Sequence, residues 1–71
     1  MQRSLEDILK KFIETGEKDL HLQCFNLEEV PDLHCCDWLE ELNLSNNRLV
    51  QINKERLPPK LKLLYIYSYF Y

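Results

Sequence analysis

The sequence predicts an α/β fold, in which one N-terminal helix precedes three short strands that recur at a constant interval. Apolar residues at helical spacing occupy residues 4–15. From residue 17 onward, pairs of apolar residues recur every 22 residues, as at Leu20 and Leu42. The two members of each pair are two residues apart, so they lie on the same face of a strand. A chain of 71 residues has room for one small domain, so the helix and the strands must share one core.

The helix is predicted over residues 4–15, with Ser4 as its N-cap and Asp7 completing a variant of the capping box. Gly16, the only glycine of the chain, is suited to end the helix in a left-handed conformation. The apolar face consists of Leu5, Ile8, Leu9, Phe12 and Ile13. The polar face carries both signs of charge, which disfavours binding to an anionic membrane. We therefore interpret residues 1–16 as an amphipathic cap over the end of a core, and a membrane-surface or partner-binding helix is the alternative.

The clearest pattern in the chain is residues 39–49, which read LxxLxLxxNxL. Leu42 and Leu44 lie two apart and therefore point to the same side of a strand, into the core. Asn47 falls where the backbone must turn, and its side-chain amide both donates and accepts hydrogen bonds. We therefore predict an inward-facing Asn47 that satisfies backbone groups left unpaired by the turn.

The same spacing occurs on both sides of this run, and the interval between matching positions is constant. The matching positions are Leu20/Leu42, Leu22/Leu44, Leu27/Leu49, Val30/Ile52, Leu39/Leu61, Leu42/Leu64 and Leu44/Ile66. This constant interval, which we call the repeat interval, predicts strands near residues 19–23, 41–45 and 63–67. Phe25 lies one repeat interval before Asn47, and Tyr69 lies one repeat interval after it. Neither side chain has an amide, so we expect no continuous ladder of asparagines across the three repeats.

The segment between the first and second predicted strands keeps an apolar residue at every third position. These residues are Leu27, Val30, Leu33, Cys36, Leu39 and Leu42. A period of three predicts 3₁₀ or loosely helical turns with one side facing the core, which buries Cys36 and turns Cys35 outward. In the next connection Glu55 interrupts the period, and Leu57-Pro58-Pro59 predicts an extended link.

Composition and charge argue against several classes of function. The net charge of −3 disfavours binding to nucleic acid, which needs clustered Lys and Arg. No apolar run approaches the roughly 18 residues of a membrane span, and charged residues interrupt the apolar stretch that a signal peptide would need. Three cysteines without a disulfide-framework spacing are typical of free thiols in a reducing compartment. We therefore predict an intracellular protein, cytoplasmic or nuclear, that binds neither nucleic acid nor a membrane.

Residues that could carry chemistry are few. His21, Cys24, His34, Cys35 and Cys36 are of metal-ligating types, but HxxC followed by HCC matches no zinc finger or ribbon. A chain with one glycine has no Gly-rich phosphate loop, and a cysteine–histidine nucleophile pair needs a pocket. We therefore expect a non-enzymatic protein with no catalytic residue, no metal and no cofactor.

From about residue 17 to residue 71 the chain resembles the leucine-rich repeat family in its 22-residue form, because residues 39–49 carry the family's pattern and repeat on both sides. The first two units look like those of intracellular phosphatase regulators and acidic nuclear phosphoproteins. The link Leu57-Pro-Pro-Lys-Leu61 looks more like the LPxxL spacing of bacterial effector repeats. The resemblance implies about two and a half to three repeats over residues 17–71. They would form a short right-handed solenoid with a parallel sheet on its concave face and residues 1–16 as capping helix.

The resemblance also implies that the concave face binds protein, through residues that lie between the inward leucines. Three columns are expected: Asp19, Glu41 and Leu63; His21, Asn43 and Tyr65; Gln23, Ser45 and Tyr67. Tyrosine is enriched at interface hot spots, since it buries a large ring and keeps a hydroxyl group for bonding. The predicted protein-binding residues are Tyr65 and Tyr67 as anchors, Glu41 and Asn43 as polar selectors, and His21 and Gln23 beside them. The alternative is that the tyrosines pack on a fourth repeat or on a second copy of the chain.

Three functions are therefore considered. The first is a protein-interaction module that binds a protein partner through the concave sheet. The second is a structural subunit whose open edge at residues 64–71 is completed by a neighbouring chain, unless the aromatic tail itself packs back as a cap. The third is the substrate-recognition segment of a larger regulatory or ubiquitin-ligase complex, with catalysis elsewhere.

Overall fold

The fold consists of one α-helix and a three-stranded parallel sheet, in a computed structural model that describes residues 4–67. The elements, in chain order, are helix α1 (Leu5–Thr15), strand β1 (Asp19–His21), strand β2 (Glu41–Asn43), a 3₁₀ helix (Lys54–Arg56) and strand β3 (Leu63–Tyr65). The strand order in the sheet is β1-β2-β3, with both pairs parallel. The chain therefore has a mixed α/β fold.

The register of the sheet equals the repeat interval seen in the sequence. Leu20 pairs with Leu42, and Leu42 pairs with Leu64, so each strand partner lies one repeat interval further along the chain. Each strand is only three residues long, shorter than the predicted ranges. Parallel backbone hydrogen bonds nevertheless continue past the strand ends, from Cys24 N to Ser45 O (3.2 Å) and from Asn46 N to Tyr67 O (2.6 Å).

Helix α1 has the predicted caps. The Ser4 hydroxyl accepts a hydrogen bond from Asp7 N (3.2 Å), and Gly16 adopts a left-handed conformation (φ 66°) from which its N–H donates to Phe12 O (2.9 Å). Phe12 is buried and stacks on Trp38, with ring centroids 5.6 Å apart. Ile13 was predicted on the apolar face, but it is 60% exposed, because the helix contacts the core through Phe12 and its neighbours rather than through this last position.

The core lies between the sheet, the helix and the β1–β2 connection. Its buried apolar residues are Phe12, Leu20, Leu22, Val30, Leu33, Cys36, Leu39, Leu42 and Leu44. The predicted inward residues of the connection are thus buried, including Cys36, except Leu27, which is half-buried, and Cys35 is exposed as predicted. The predicted 3₁₀-type turns are present in part of this segment, where Cys36 N donates to Leu33 O (3.0 Å) and Leu39 N donates to Cys36 O (3.2 Å), although residues 22–40 form no continuous helix.

A 3₁₀ helix, Lys54–Arg56, lies in the second connection. Asn53 caps it, with its side-chain oxygen accepting from Glu55 N (3.1 Å). The backbone then extends at Leu57 (φ −78°, ψ 149°), as the following prolines predict, and Pro58 is buried. Arg56, which the sequence pattern did not single out, joins the β2–β3 connection to the β1–β2 connection. Its guanidinium donates to Val30 O (3.0 Å), and its carbonyl accepts from Leu33 N (2.8 Å).

The third strand is less enclosed than the first two. Leu64 is only half-buried, although Leu20 and Leu42 at the equivalent positions are buried. Ile66 is 49% exposed, whereas its counterparts Leu22 and Leu44 are buried. The predictions for the aromatic tail, Ser68 to Tyr71, lie outside the described residues.

Candidate functional site

The candidate site is the outer face of the sheet, opposite the buried leucines. The strand residues on either side of each leucine form two rows across the sheet, in register: Asp19, Glu41 and Leu63, and His21, Asn43 and Tyr65. We call these six side chains the open face. Two of the three predicted columns are therefore present, and they bring together Glu41, Asn43, Tyr65 and His21 as the sequence predicted.

The open face changes in chemistry from one edge to the other. At β1 the His21 ring is 3.2 Å from the Asp19 carboxylate, and both side chains are exposed. At β2 the exposed Glu41 lies beside Asn43, whose side-chain oxygen accepts from Ser45 N (3.0 Å) and is thereby held in place. At β3 the surface becomes apolar and aromatic, with Leu63 and Tyr65 both exposed. The face therefore offers charge and hydrogen-bonding groups at one edge and an apolar contact area at the other.

The third predicted column is only partly available for binding. Gln23 and Tyr67 are exposed, and Tyr67 keeps 67% of its surface accessible. Ser45 is buried, contrary to its predicted position on the surface, since its hydroxyl accepts a hydrogen bond from Tyr67 N (3.2 Å) and thereby joins two turns. The usable extension of the open face is therefore Gln23 at one side and Tyr67 at the other.

Asn47 holds the strand exits of the first two units together. It is buried, and its side-chain oxygen accepts from Phe25 N (2.9 Å) and Leu27 N (3.0 Å). Its amide nitrogen donates to Leu22 O (2.8 Å), Leu44 O (2.9 Å) and Ser45 O (3.3 Å). The prediction that this asparagine satisfies turn backbone is confirmed. Five backbone groups in two turns depend on one side chain, so Asn47 fixes the relative position of β1 and β2.

The turns after β1 and β2 also share a backbone conformation. Cys24 (φ 64°) and Asn46 (φ 58°) are both left-handed and occupy equivalent positions, one repeat interval apart. Asn tolerates this conformation because its short polar side chain can hydrogen-bond locally, whereas most other side chains meet the backbone there. The two turns therefore share this conformation at one position, occupied by different residues, whereas Asn26 (φ 57°) is left-handed in the first turn only.

An apolar region adjoins the open face at the β3 end. Val50, Ile66 and Tyr67 are exposed there, and we call them the C-terminal patch. Beside it a cavity of about 250 Å³ is lined by Leu44, Leu49, Ile52, Ile66 and Tyr67, among others. A cluster of exposed apolar side chains beside an open cavity is typical of an interaction site.

The metal-ligating residue types do not converge. Within residues 4–67, no group of three or more His, Cys, Asp or Glu side chains is arranged to hold a metal ion. Cys24 and Cys35 are exposed free thiols, and Cys36 is a buried one. Over the same residues, no helix is long and apolar enough to cross a membrane.

Comparison of the chain with family models, with curated proteins and with solved structures found no match in any of the three.

Proposed function

We propose that this chain is a protein-interaction module of the leucine-rich repeat type, which binds a protein partner through the open face. The repeat assignment is supported by the register of the sheet, which equals the repeat interval, and by the position of Asn47 in the LxxLxLxxNxL run. A right-handed solenoid with the open face on its concave side accounts for both features. Residues 1–16 serve as its N-terminal cap.

The observation that carries the binding proposal is the exposure of Tyr65 and Tyr67 next to fixed polar groups. Both rings are accessible, at 37% and 67%, and Glu41 and Asn43 lie in the neighbouring strand. Tyrosines in such a setting supply large contact area while their hydroxyl groups stay hydrogen-bonded. The partner that fits is a protein segment with an apolar side chain for the tyrosines and a basic group facing Glu41 and Asp19.

This function is binding without catalysis and without a cofactor. The groups on the open face are exposed, and exposed carboxylates and imidazoles lack the enclosed environment in which acid–base or nucleophilic catalysis is effective. The free thiols of Cys24, Cys35 and Cys36 are in keeping with a reducing, intracellular compartment.

The test is partner capture with the wild-type chain, followed by titration of the captured protein against variants. Tyr65→Ala and Tyr67→Ala are expected to weaken binding by at least roughly tenfold each, as interface hot spots do. Ile13→Ala is the control, since Ile13 is an apolar residue on α1 that is 60% exposed, between Tyr65 and Tyr67 in accessibility, and it should leave the affinity unchanged. Unchanged affinity in both tyrosine variants would rule out the open face as the site.

A second candidate function is that of a structural subunit completed by a neighbouring chain. It is favoured by the C-terminal patch and by the outer edge of β3, which has no strand partner within residues 4–67. Sedimentation over micromolar concentrations tests it, with Val50→Asp as the variant that should dissociate the assembly. A wild-type chain that sediments as a monomer throughout that range contradicts self-assembly.

A further inference from the structure

A second polar cluster lies in the connection between β1 and β2, apart from the open face. Asp32, His34 and Cys35 are hydrogen-bonded in series: Asp32 Oδ1 is 2.6 Å from His34 Nδ1, and His34 Nε2 is 3.1 Å from Cys35 Sγ. The same Asp32 oxygen also accepts from the backbone N–H of His34 (3.4 Å). All three side chains are exposed.

The order of these contacts determines where the imidazole proton lies. The hydrogen bond from His34 lowers the pKa of the Asp32 carboxyl below its ordinary value, so the group is ionised at neutral pH and only accepts. Its partner Nδ1 must therefore carry the proton, which leaves Nε2 of the neutral ring as an acceptor. The Cys35 thiol then donates its proton to Nε2, and the imidazole is in the correct tautomer to receive it.

From this geometry we propose that Cys35 is a thiol-modification site, which reacts with small disulfides to form a stable mixed disulfide. In the reaction the Cys35 proton passes to His34 Nε2, and the sulfur attacks one sulfur of the small disulfide. The S–S bond of the reagent breaks, and the leaving thiolate takes the proton from the imidazolium. The products are the protein mixed disulfide and one small thiol, so electrons and protons balance without a further oxidant.

The other two cysteines show why the reaction is specific. Cys24 is exposed, but within residues 4–67 no side chain hydrogen-bonds its sulfur. Cys36 is in the core, where burial raises the pKa of its thiol. To displace the small thiol from Cys35, Cys36 would have to leave its position among Leu33 and Leu39. The mixed disulfide therefore persists instead of converting to a Cys35–Cys36 bond.

The chain contains a natural control for the role of the histidine. The tripeptide Asp-Leu-His occurs at residues 19–21 and again at residues 32–34. In the first copy the His21 ring also contacts its aspartate, but the next residue is Leu22 rather than a cysteine. Replacing His21 therefore removes a comparable exposed Asp–His pair without touching a thiol.

The experiment exposes the reduced full chain to 2-hydroxyethyl disulfide, a neutral reagent that local charge does not attract or repel. Peptide mass spectrometry after acid quenching gives the modification rate at each cysteine. General-base assistance contributes about 100-fold or more in enclosed sites, and at this exposed site we expect Cys35 to react roughly three- to tenfold faster than Cys24. Cys36 should remain unmodified while the chain is folded.

Two variants separate the proposed roles. His34→Gln removes the proton acceptor, and Asp32→Asn removes the group that positions its tautomer; each should bring the Cys35 rate down to that of Cys24. His21→Gln should leave the ratio of the two rates unchanged. Circular dichroism checks that each variant is folded, which is expected because all three substitutions are at exposed positions.

Three results overturn the proposal. The first is equal reactivity of Cys35 and Cys24 in the wild-type chain, and the second is a preference for Cys35 that survives in His34→Gln. The third is loss of two hydrogens without a reagent adduct, which would mean an internal Cys35–Cys36 disulfide. None of these results affects the proposed binding function, whose test depends on Tyr65 and Tyr67.

Discussion

The first two strands and the third carry the same apolar pattern but are buried to different extents. Leu20 and Leu42 are almost inaccessible, whereas Leu64, in register with them, is only half-buried. Strand order alone does not explain the difference, because β1 and β3 each have a strand on one side only within residues 4–67. Leu20 is buried because it lies in the core together with Phe12 of α1, whereas Leu64 only packs against the border of that core. The alternation of a strand sets which side a residue faces, and its neighbours set how deeply it is buried.

The turns after β1 and β2 are also held by more hydrogen bonds than the segment after β3. The exits of β1 and β2 are joined by the buried Asn47, which satisfies backbone groups in both units. After β3, two hydrogen bonds within the described residues join Tyr67 to the turn that follows β2. The Tyr67 N–H donates to the Ser45 hydroxyl, and the Tyr67 carbonyl accepts from Asn46 N. The first two units therefore form the rigid part of the molecule, and the exposed aromatic surface of β3 adjoins it.

The largest effect is expected from Asn47→Ala. It leaves two partly buried N–H groups and three carbonyls without their partner, so we expect a loss of about 3–5 kcal/mol in the free energy of unfolding. In a chain of this size such a loss leaves little folded protein. Urea denaturation measures it. Asn43→Ala is the control, since Asn43 makes one hydrogen bond at a partly exposed site and should cost about 0.5–1.5 kcal/mol. Equal losses in the two variants would refute the special role of Asn47.

A pair of leucine truncations tests the difference in burial directly. Leu42→Ala removes a fully buried side chain from the core and should cost about 2–5 kcal/mol, the usual range for buried leucines. Leu64→Ala truncates the register-matched, half-buried residue, and we expect a loss of about 1 kcal/mol. Thermal unfolding of both variants gives the comparison. A loss at Leu64 as large as that at Leu42 would mean that β3 is enclosed like β2.

The smallest effect concerns the two left-handed turn residues. Cys24→Asn places at φ 64° a residue that tolerates this conformation, so it should raise the free energy of unfolding by about 0.5–1 kcal/mol. Asn46→Ala makes the reverse change at the equivalent position and should lower it by a similar amount. Denaturant midpoints of the two variants measure the shifts. A decrease for Cys24→Asn would show that the sulfur makes a contact worth more than the backbone strain.

Much of the fold could be predicted from spacing alone. The helix caps Ser4 and Gly16, the strand positions and the inward Asn47 all follow from local patterns that have one physical solution. The period of three in the β1–β2 connection predicted the inward residues and the 3₁₀-type hydrogen bonds that join Leu33 to Cys36 and Cys36 to Leu39. It could not predict that these turns stay separate and form no continuous helix. The depth of burial at Ile13, Ser45 and β3 depends on tertiary neighbours that the pattern does not specify.

The candidate site was predictable in part for the same reason. The open-face rows follow from the repeat interval and strand alternation, so Glu41, Asn43 and Tyr65 could be placed together. The cluster of Asp32, His34 and Cys35 was missed as a unit, although Asp-x-His followed by Cys is visible in the sequence. Its contacts depend on the turn geometry of residues 32–35, which no periodicity describes.

Residue-resolved amide hydrogen exchange tests the central comparison most directly. The amides of Leu22, Phe25 and Leu27 are hydrogen-bonded within the first two units and should be strongly protected, while those of Leu63 and Tyr67 should exchange faster. In Asn47→Ala, protection at Phe25 and Leu27 should disappear first. Uniform protection across all three strands, or retained protection of Phe25 and Leu27 in that variant, would contradict a rigid two-unit core that adjoins a more open aromatic strand.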